Sequence, residues 1–255
     1  MKKTLVLLTA GIVLLITATG LIGAGANSAA QMKSDPNIVV PKQKAKQSDP
    51  NAHAAFPADY KGKPFEDSVY KDGPQVIPGT LQCVLFDLGG EGVAYHDKDA
   101  INHGSGELNM APEHQKSHAT PYIWHFRQNE GVDISYVKDN PDLNHTNFFT
   151  PTANQLYIGW TDDGEWCNYT VNVKAAGTYK IIALYSNAAN TIKFSINRQP
   201  ASECKLPKDT GDWHIWNKAE IGTITFPKAG LQLLTFYYNA GNNFAYFEFE
   251  PVEKK

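Results

Sequence analysis

From Val76 onward the chain alternates in twos, and that alternation constrains its fold more than any other feature. Leu81, Cys83 and Leu85 alternate with Gln82, Val84 and Phe86. Cys167, Tyr169, Val171 and Val173 alternate with Trp166, Asn168, Thr170 and Asn172. After a turn at Gly177, Tyr179, Ile181, Ala183 and Tyr185 recur at every second position, and Ile192, Phe194 and Ile196 do the same. Leu231, Leu233 and Thr235 alternate with Leu234 and Phe236 on a strand apolar on both faces, and the run Phe244–Phe249 closes the chain. Side chains two apart share one face of a strand. Short runs of that period, separated by turn residues, predict an antiparallel sandwich or barrel. No amphipathic helical pattern competes. The expected fold class is all-β, as a β-sandwich of the jelly-roll kind, a common solution at this size. The 20 glycines and 15 prolines supply the turns, and the 12 tyrosines and 12 phenylalanines suit strands.

Upstream of the pattern the character changes. Lys2 and Lys3 precede an apolar stretch from Leu5 to Ile22, and the small-residue triplets Ala24-Gly25-Ala26 and Ser28-Ala29-Ala30 follow. This is the layout of an export signal over residues 1–30; the alternative is a retained membrane anchor. Residues 31–58 hold few large apolar groups and read as a linker. Residues 59–76, with Tyr60, Phe65 and Tyr70, read as extended, packed-down coil. The expected organisation is a signal peptide (1–30), a linker and extended segment (31–74), a β domain (75–251) and a short tail (252–255). A secreted, periplasmic or cell-surface location follows, with no membrane contact once the signal is cleaved.

Charge narrows the partners. The formal net charge is −3, and loss of Lys2 and Lys3 with the signal takes it to about −5. With only two arginines, Arg127 and Arg198, nucleic acid and anionic membranes are poor partners. Cys83, Cys167 and Cys204 form no C-x-x-C pair, which excludes zinc ribbons and thioredoxin chemistry. Cys167 reads as a small buried hydrophobe, and a disulfide between two of the three stays open.

The tryptophans carry the functional signal. Trp160 lies in Gly159-Trp160-Thr161-Asp162-Asp163-Gly164 and Trp213 in Gly211-Asp212-Trp213-His214, both at polar turns. Trp166 and Trp216 lie within strand-like runs and read as structural. A pyranose presents an apolar C–H face that stacks on an indole, and its hydroxyls need Asn, Asp or Glu at the rim. Stacking on an aromatic ring is worth roughly 1–3 kcal/mol for a base, and a sugar belongs at the low end. Two rings and a few hydrogen bonds give about −4 to −8 kcal/mol, a millimolar to micromolar affinity.

The same stretches carry a resemblance. Ile158 through Tyr179, with its Gly-Trp-Thr-Asp-Asp-Gly-Glu-Trp-Cys run, and Leu206-Pro-Lys-Asp-Thr-Gly-Asp-Trp-His-Ile-Trp resemble carbohydrate-binding module family 6 and its relative, family 35. Ile77-Pro-Gly, Phe86 through Asp97 and Arg127 through Ile134 fit the same modules, which travel with bacterial glycoside hydrolases. The resemblance spans 75–251. It implies a non-catalytic jelly roll that binds a polysaccharide or oligosaccharide in the loops at one edge. Matching position by position, it implies Trp160, Trp213 and Asn243 as binding residues, with Asn242 as an adjacent alternative. Glu91, Tyr95 and His96 belong to a loop region that could line the same cleft. Separately secreted glycoside hydrolases are the implied functional partners. At the family's calcium site the sequence departs: Gln82, Val84 and Ala245 stand where carboxylates belong, and one amide with two apolar groups cannot hold calcium. No cofactor is expected.

Three rival readings remain. Asp162, Asp163 and Glu165 cluster as hydrolytic carboxylates would, though no Gly-x-Ser-x-Gly, His-Glu-x-x-His or Walker sequence accompanies them. His114 and His118 are spaced i, i+4, as for a metal on a helix, in a stretch, Gly89–Glu130, that holds five of the eight histidines and little periodicity. A cell-surface structural or protein-interaction module with a degenerate sugar site is the third.

Overall fold

The structure, a computed structural model, describes residues 54–114 and 118–253. The expected signal peptide, the linker up to residue 53 and the last two residues lie outside the described residues. No helix among the described residues is long and apolar enough to cross a membrane.

Two sheets form. The first runs in the order β1 (Gln75–Ile77), β6 (Trp166–Val173), β11 (Gly230–Tyr237), β8 (Thr191–Ile196), β9 (Gln199–Lys205), with β3 (Tyr95–His96) also pairing β6. The second runs β10 (Trp216–Phe226), β7 (Gly177–Asn187), β12 (Asn242–Pro251), β5 (Leu156–Ile158), β4 (Ile134–Tyr136), with β2 (Gly79–Gln82) also on β12. Neighbouring strands are antiparallel except β1 on β6. The fold is an all-β, two-sheet sandwich of the jelly-roll type.

The alternating residues do what their period demands. Tyr169, Val171 and Val173 from β6 and Tyr179, Ile181, Ala183 and Tyr185 from β7 are buried in one core. Rings interlock across the two sheets: Phe236 on β11 lies 4.8 Å from Phe247 and 5.0 Å from Phe244 on β12, both edge to face. A strict period of two would send Phe244 and Phe247 to opposite faces. A register shift between Phe244 and Tyr246 resets the phase, as a bulge does, and both rings enter the core.

Where strand patterning was expected over 81–86, the ladder ends at Gln82. A turn follows in which Leu85 N–H donates to the Gln82 carbonyl. Leu81, Cys83, Val84 and Phe86 are still buried. The three cysteines are free thiols and all are buried.

Two features outside the ladder position the site. Residues 54–74 lie against the sandwich. The Ala54 carbonyl accepts from Asn197 Nδ2, Asp59 pairs with Arg198, Tyr60 donates to the buried Asp87, and Phe65 enters the core. A second, smaller apolar cluster of Val137, Tyr157, Leu184, Trp216 and Ala245 forms apart from the main core. It underlies the loop end where β4, β5, β10 and β12 meet.

Candidate functional site: an aromatic cleft at the loop edge

Above that second cluster lies a cleft of about 360 Å³, within the usual size range for small-molecule sites. Trp160 and Trp213 line it, each about two-fifths exposed. Asn243, Tyr157, Lys138 and His214 line it with them, and Leu108, His114 and Pro141 complete the wall.

Each ring is presented by its backbone. Trp160 follows β5 with φ +47, a conformation uncommon for a non-glycine residue. The turn is tied to the start of β12, since Thr161 Oγ1 donates to the Asn242 carbonyl and accepts from Asn242 N–H. Trp213 sits in the turn between β9 and β10. Its carbonyl accepts from Ser186 Oγ at 2.6 Å and from Asn243 Nδ2 at 2.8 Å. Asn243 therefore spends its amide on the Trp213 loop. Gly159 makes room for it: a Cβ there would stand 2.9 Å from Asn243 Oδ1.

A buried carboxylate organises the floor. Asp142, fully buried, accepts from Lys138 N–H at 2.9 Å and from Trp216 Nε1 at 3.0 Å, and its Oδ1 lies 3.0 Å from His214 Nδ1. Lys138 is 4% exposed. Its ammonium donates to Ser135 Oγ at 2.8 Å and the Tyr136 carbonyl at 3.3 Å, and stands 4.2 Å from the centre of the Tyr136 ring. Burial pulls its pKa down to about 8, against the opposing pull of Asp142, so it remains mostly charged at neutral pH. Burial also pulls the His114 imidazole down, helped by the Lys138 charge.

The structure brings three of the expected residues together: Trp160, Trp213 and Asn243. The other four do not line this cleft. Asn242 is fully buried and consumed by structure: its Nδ2 donates to the Ser186 and Ala188 carbonyls and its Oδ1 accepts from Asn190. Tyr95 is buried, packs edge to face on Phe86, and its hydroxyl accepts from Gly131 N–H. Glu91 and His96 pair with each other at 2.6 Å, and His96 lies beside Trp166.

Sequence reasoning missed Lys138, His214, Leu108 and His114 as cleft residues. Leu108 and His114 come from the aperiodic stretch between Gly89 and Glu130, which carried no signal of where it folds. His214 was legible in principle, since it adjoins Trp213.

The rival sites have other employment. Asp162 pairs with Lys98, Asp163 accepts from Ala240 N–H, and Glu165 accepts from the Asp162 and Lys98 amides. None lines the cleft. His118 is exposed beside Asp139 while His114 lines the cleft. Among the described residues no group of three or more His, Cys, Asp or Glu is arranged to hold a metal. At the expected calcium position, Gln82 accepts from Gln155, Val84 is buried and the Ala245 carbonyl accepts from Cys83 N–H.

A jelly-roll sandwich with an aromatic cleft in the loops at its edge is the architecture of a carbohydrate-binding module. Residues 130–251, just under half of the chain, match the family model "Carbohydrate binding module (family 6)". The match begins after Leu108 and His114, so that wall of the cleft lies outside it. Among solved structures, the chain is similar to a family 6 module of Cellvibrio mixtus lichenase 5A in complex with cellotriose, at 22% identity and TM-score 0.34, covering 38% of this chain and 79% of that one. It is also similar to a Clostridium stercorarium family 6 module in complex with cellobiose, at 13% identity and TM-score 0.44, covering 71% of this chain and all of that one. A third is the C-terminal family 6 module of the Zobellia galactanivorans laminarinase LamC, at 23% identity and TM-score 0.32, covering 37% and 79%. No curated protein matches the chain.

Proposed function

We propose that this is an exported, non-catalytic protein that holds a polysaccharide or oligosaccharide in the cleft between Trp160 and Trp213. The observation that carries this reading is the pair of half-exposed indoles on one cleft, with Asn243 hydrogen-bonded to the loop of one and packed against Gly159, the neighbour of the other. Apolar faces flank a floor with polar groups, which is what a sugar ring requires. The solved family 6 modules with cellotriose and cellobiose bound are in keeping with a saccharide ligand. The basic, apolar N-terminus supports export. The protein would then keep glycan near the cell or near separately secreted glycoside hydrolases.

Affinity electrophoresis against a panel of plant and algal polysaccharides tests it. The wild type should be retarded by at least one glycan. W160A and W213A should each lose about 1–2 kcal/mol, roughly five- to thirtyfold in affinity. A wild type retarded by nothing, or variants retarded as strongly as wild type, would remove the reading. Release of reducing sugar by the purified protein alone would favour the enzyme reading instead.

A further inference from the structure

We infer that the saccharide of this cleft carries an anionic group, a uronate carboxylate or a sulfate ester, received by Lys138. This rests on the carbohydrate reading above and narrows it to a class of ligand.

The first ground is a buried cation that no carboxylate touches. Lys138 is almost wholly buried, yet no carboxylate contacts its ammonium. Its two hydrogen-bond partners, a serine hydroxyl and a backbone carbonyl, are neutral. A buried charge ordinarily has a partner of opposite sign, because desolvation otherwise costs several kcal/mol. Asp142 is nearby but committed: its oxygens serve the Lys138 backbone amide, the Trp216 indole and His214. An ammonium has three protons to donate, and two bonds leave one for a ligand.

The second ground is the lining as a whole. No aspartate or glutamate lines the cleft. A neutral sugar brings many hydroxyl protons and is held by carboxylate acceptors as well as donors. The polar side chains in its lining are Lys138, His114, His214 and Asn243; His214 Nδ1 is taken by Asp142, and the Asn243 amide donates to the Trp213 carbonyl. A mostly apolar lining with a lysine and no carboxylate suits a ligand that brings its own acceptor oxygens. Charge-assisted hydrogen bonds from an ammonium to a carboxylate or sulfate are about twice as strong as neutral ones.

The test uses matched pairs on the full chain. Oligogalacturonate is compared with its carboxyl-reduced counterpart, and a sulfated galactan with its desulfated form, by affinity electrophoresis and calorimetry. The expected result is binding to the charged member of one pair at least tenfold tighter than to its neutral counterpart, weakened by added NaCl. Which pair responds separates carboxylate from sulfate. K138Q should bring the two members of that pair to similar affinity, and K138R should restore part of the difference. The paired-ligand and salt comparisons stand on the wild type, so they remain decisive if K138Q fails to fold. Equal affinity within both pairs, or preference for the neutral member, overturns the inference and leaves the carbohydrate reading intact. Binding to no member of either pair also overturns it; the polysaccharide panel then decides whether the broader reading survives.

Discussion

At the scale of single residues, burial raises the pKa values of two acids, Asp133 and Asp97. Asp133, buried, has its pKa raised to about 7 by desolvation and by the nearby Asp97 charge, against the His103 backbone N–H that donates to it. Asp97 is raised to about 7 by burial and by Glu165. A carboxyl whose folded pKa lies above its unfolded value retains its proton in the native state. The folded state then binds more protons than the unfolded chain, and stability falls as pH rises from about 4 to about 7. His103, raised to about 9 between Glu107 and Asp99, gives a separate loss that continues toward pH 9. D133N should therefore raise the melting temperature at pH 8 more than at pH 4.5, flattening the profile between those values. Calorimetry across that range checks it, and an unchanged slope would show that Asp133 ionises freely. None of this was legible in sequence. Trp160 and Trp213 were, because a tryptophan among Gly, Asp and Thr has no strand face to bury. The residues that give the cleft its charge were not, because Lys138 carries no sign of burial until Ser135, Tyr136 and Asp142 fold around it.

At the scale of elements, Asp142 joins the 138–142 segment to β10. Its carboxylate accepts from Lys138 N–H and Trp216 Nε1 and contacts His214 Nδ1, and Trp216 N–H donates to Asn147. D142A leaves the buried Lys138 amide and Trp216 indole without acceptors, each costing about 1–3 kcal/mol. Urea denaturation should register a loss of about 3 kcal/mol for the variant, with sugar binding weakened as well. A loss below about 1 kcal/mol would mean that water replaces the carboxylate. The strands that sequence disclosed share one property, burial of every second residue. β6, β7, β8 and β12 show it, and each lies inside its sheet. β9 and β10 lie at sheet edges, and their polar residues face solvent. A register shift between Glu220 and Gly222 further breaks the period of β10. β4 and β5, three residues each, are too short for a period to register, although Tyr157 on β5 faces the cleft.

At the scale of the whole molecule, the described part of the expected linker and extended segment, residues 54–74, packs against the sandwich. Residues 54–74 contribute Phe65 to the core and Tyr60 to Asp87. Burying one phenylalanine is worth about 1.5–3 kcal/mol. A chain beginning at Gln75 should be less stable than one beginning at Ser48 by about 3 kcal/mol, read from urea midpoints. Both should keep the cleft, whose lining begins at Leu108. Equal midpoints would show that the segment adds nothing. The aromatics of this segment marked it as packed-down coil, but three rings in sixteen residues set no period, so where each docks was not legible. The jelly roll itself was legible, since its core strands each carry their own alternation.

The central claim is that the sugar sits between Trp160 and Trp213. The five tryptophans give five indole N–H signals, so a ¹H–¹⁵N NMR titration with cellotriose and then trigalacturonate reads the site directly. The account predicts that the Trp160 and Trp213 signals, assigned from W160A and W213A, shift with at least one of these sugars. Trp216, buried beneath the cleft with its indole on Asp142, should move little. Shifts confined to Trp166, which lies on a different surface beside Tyr60 and Arg198, would place the sugar elsewhere and contradict the account.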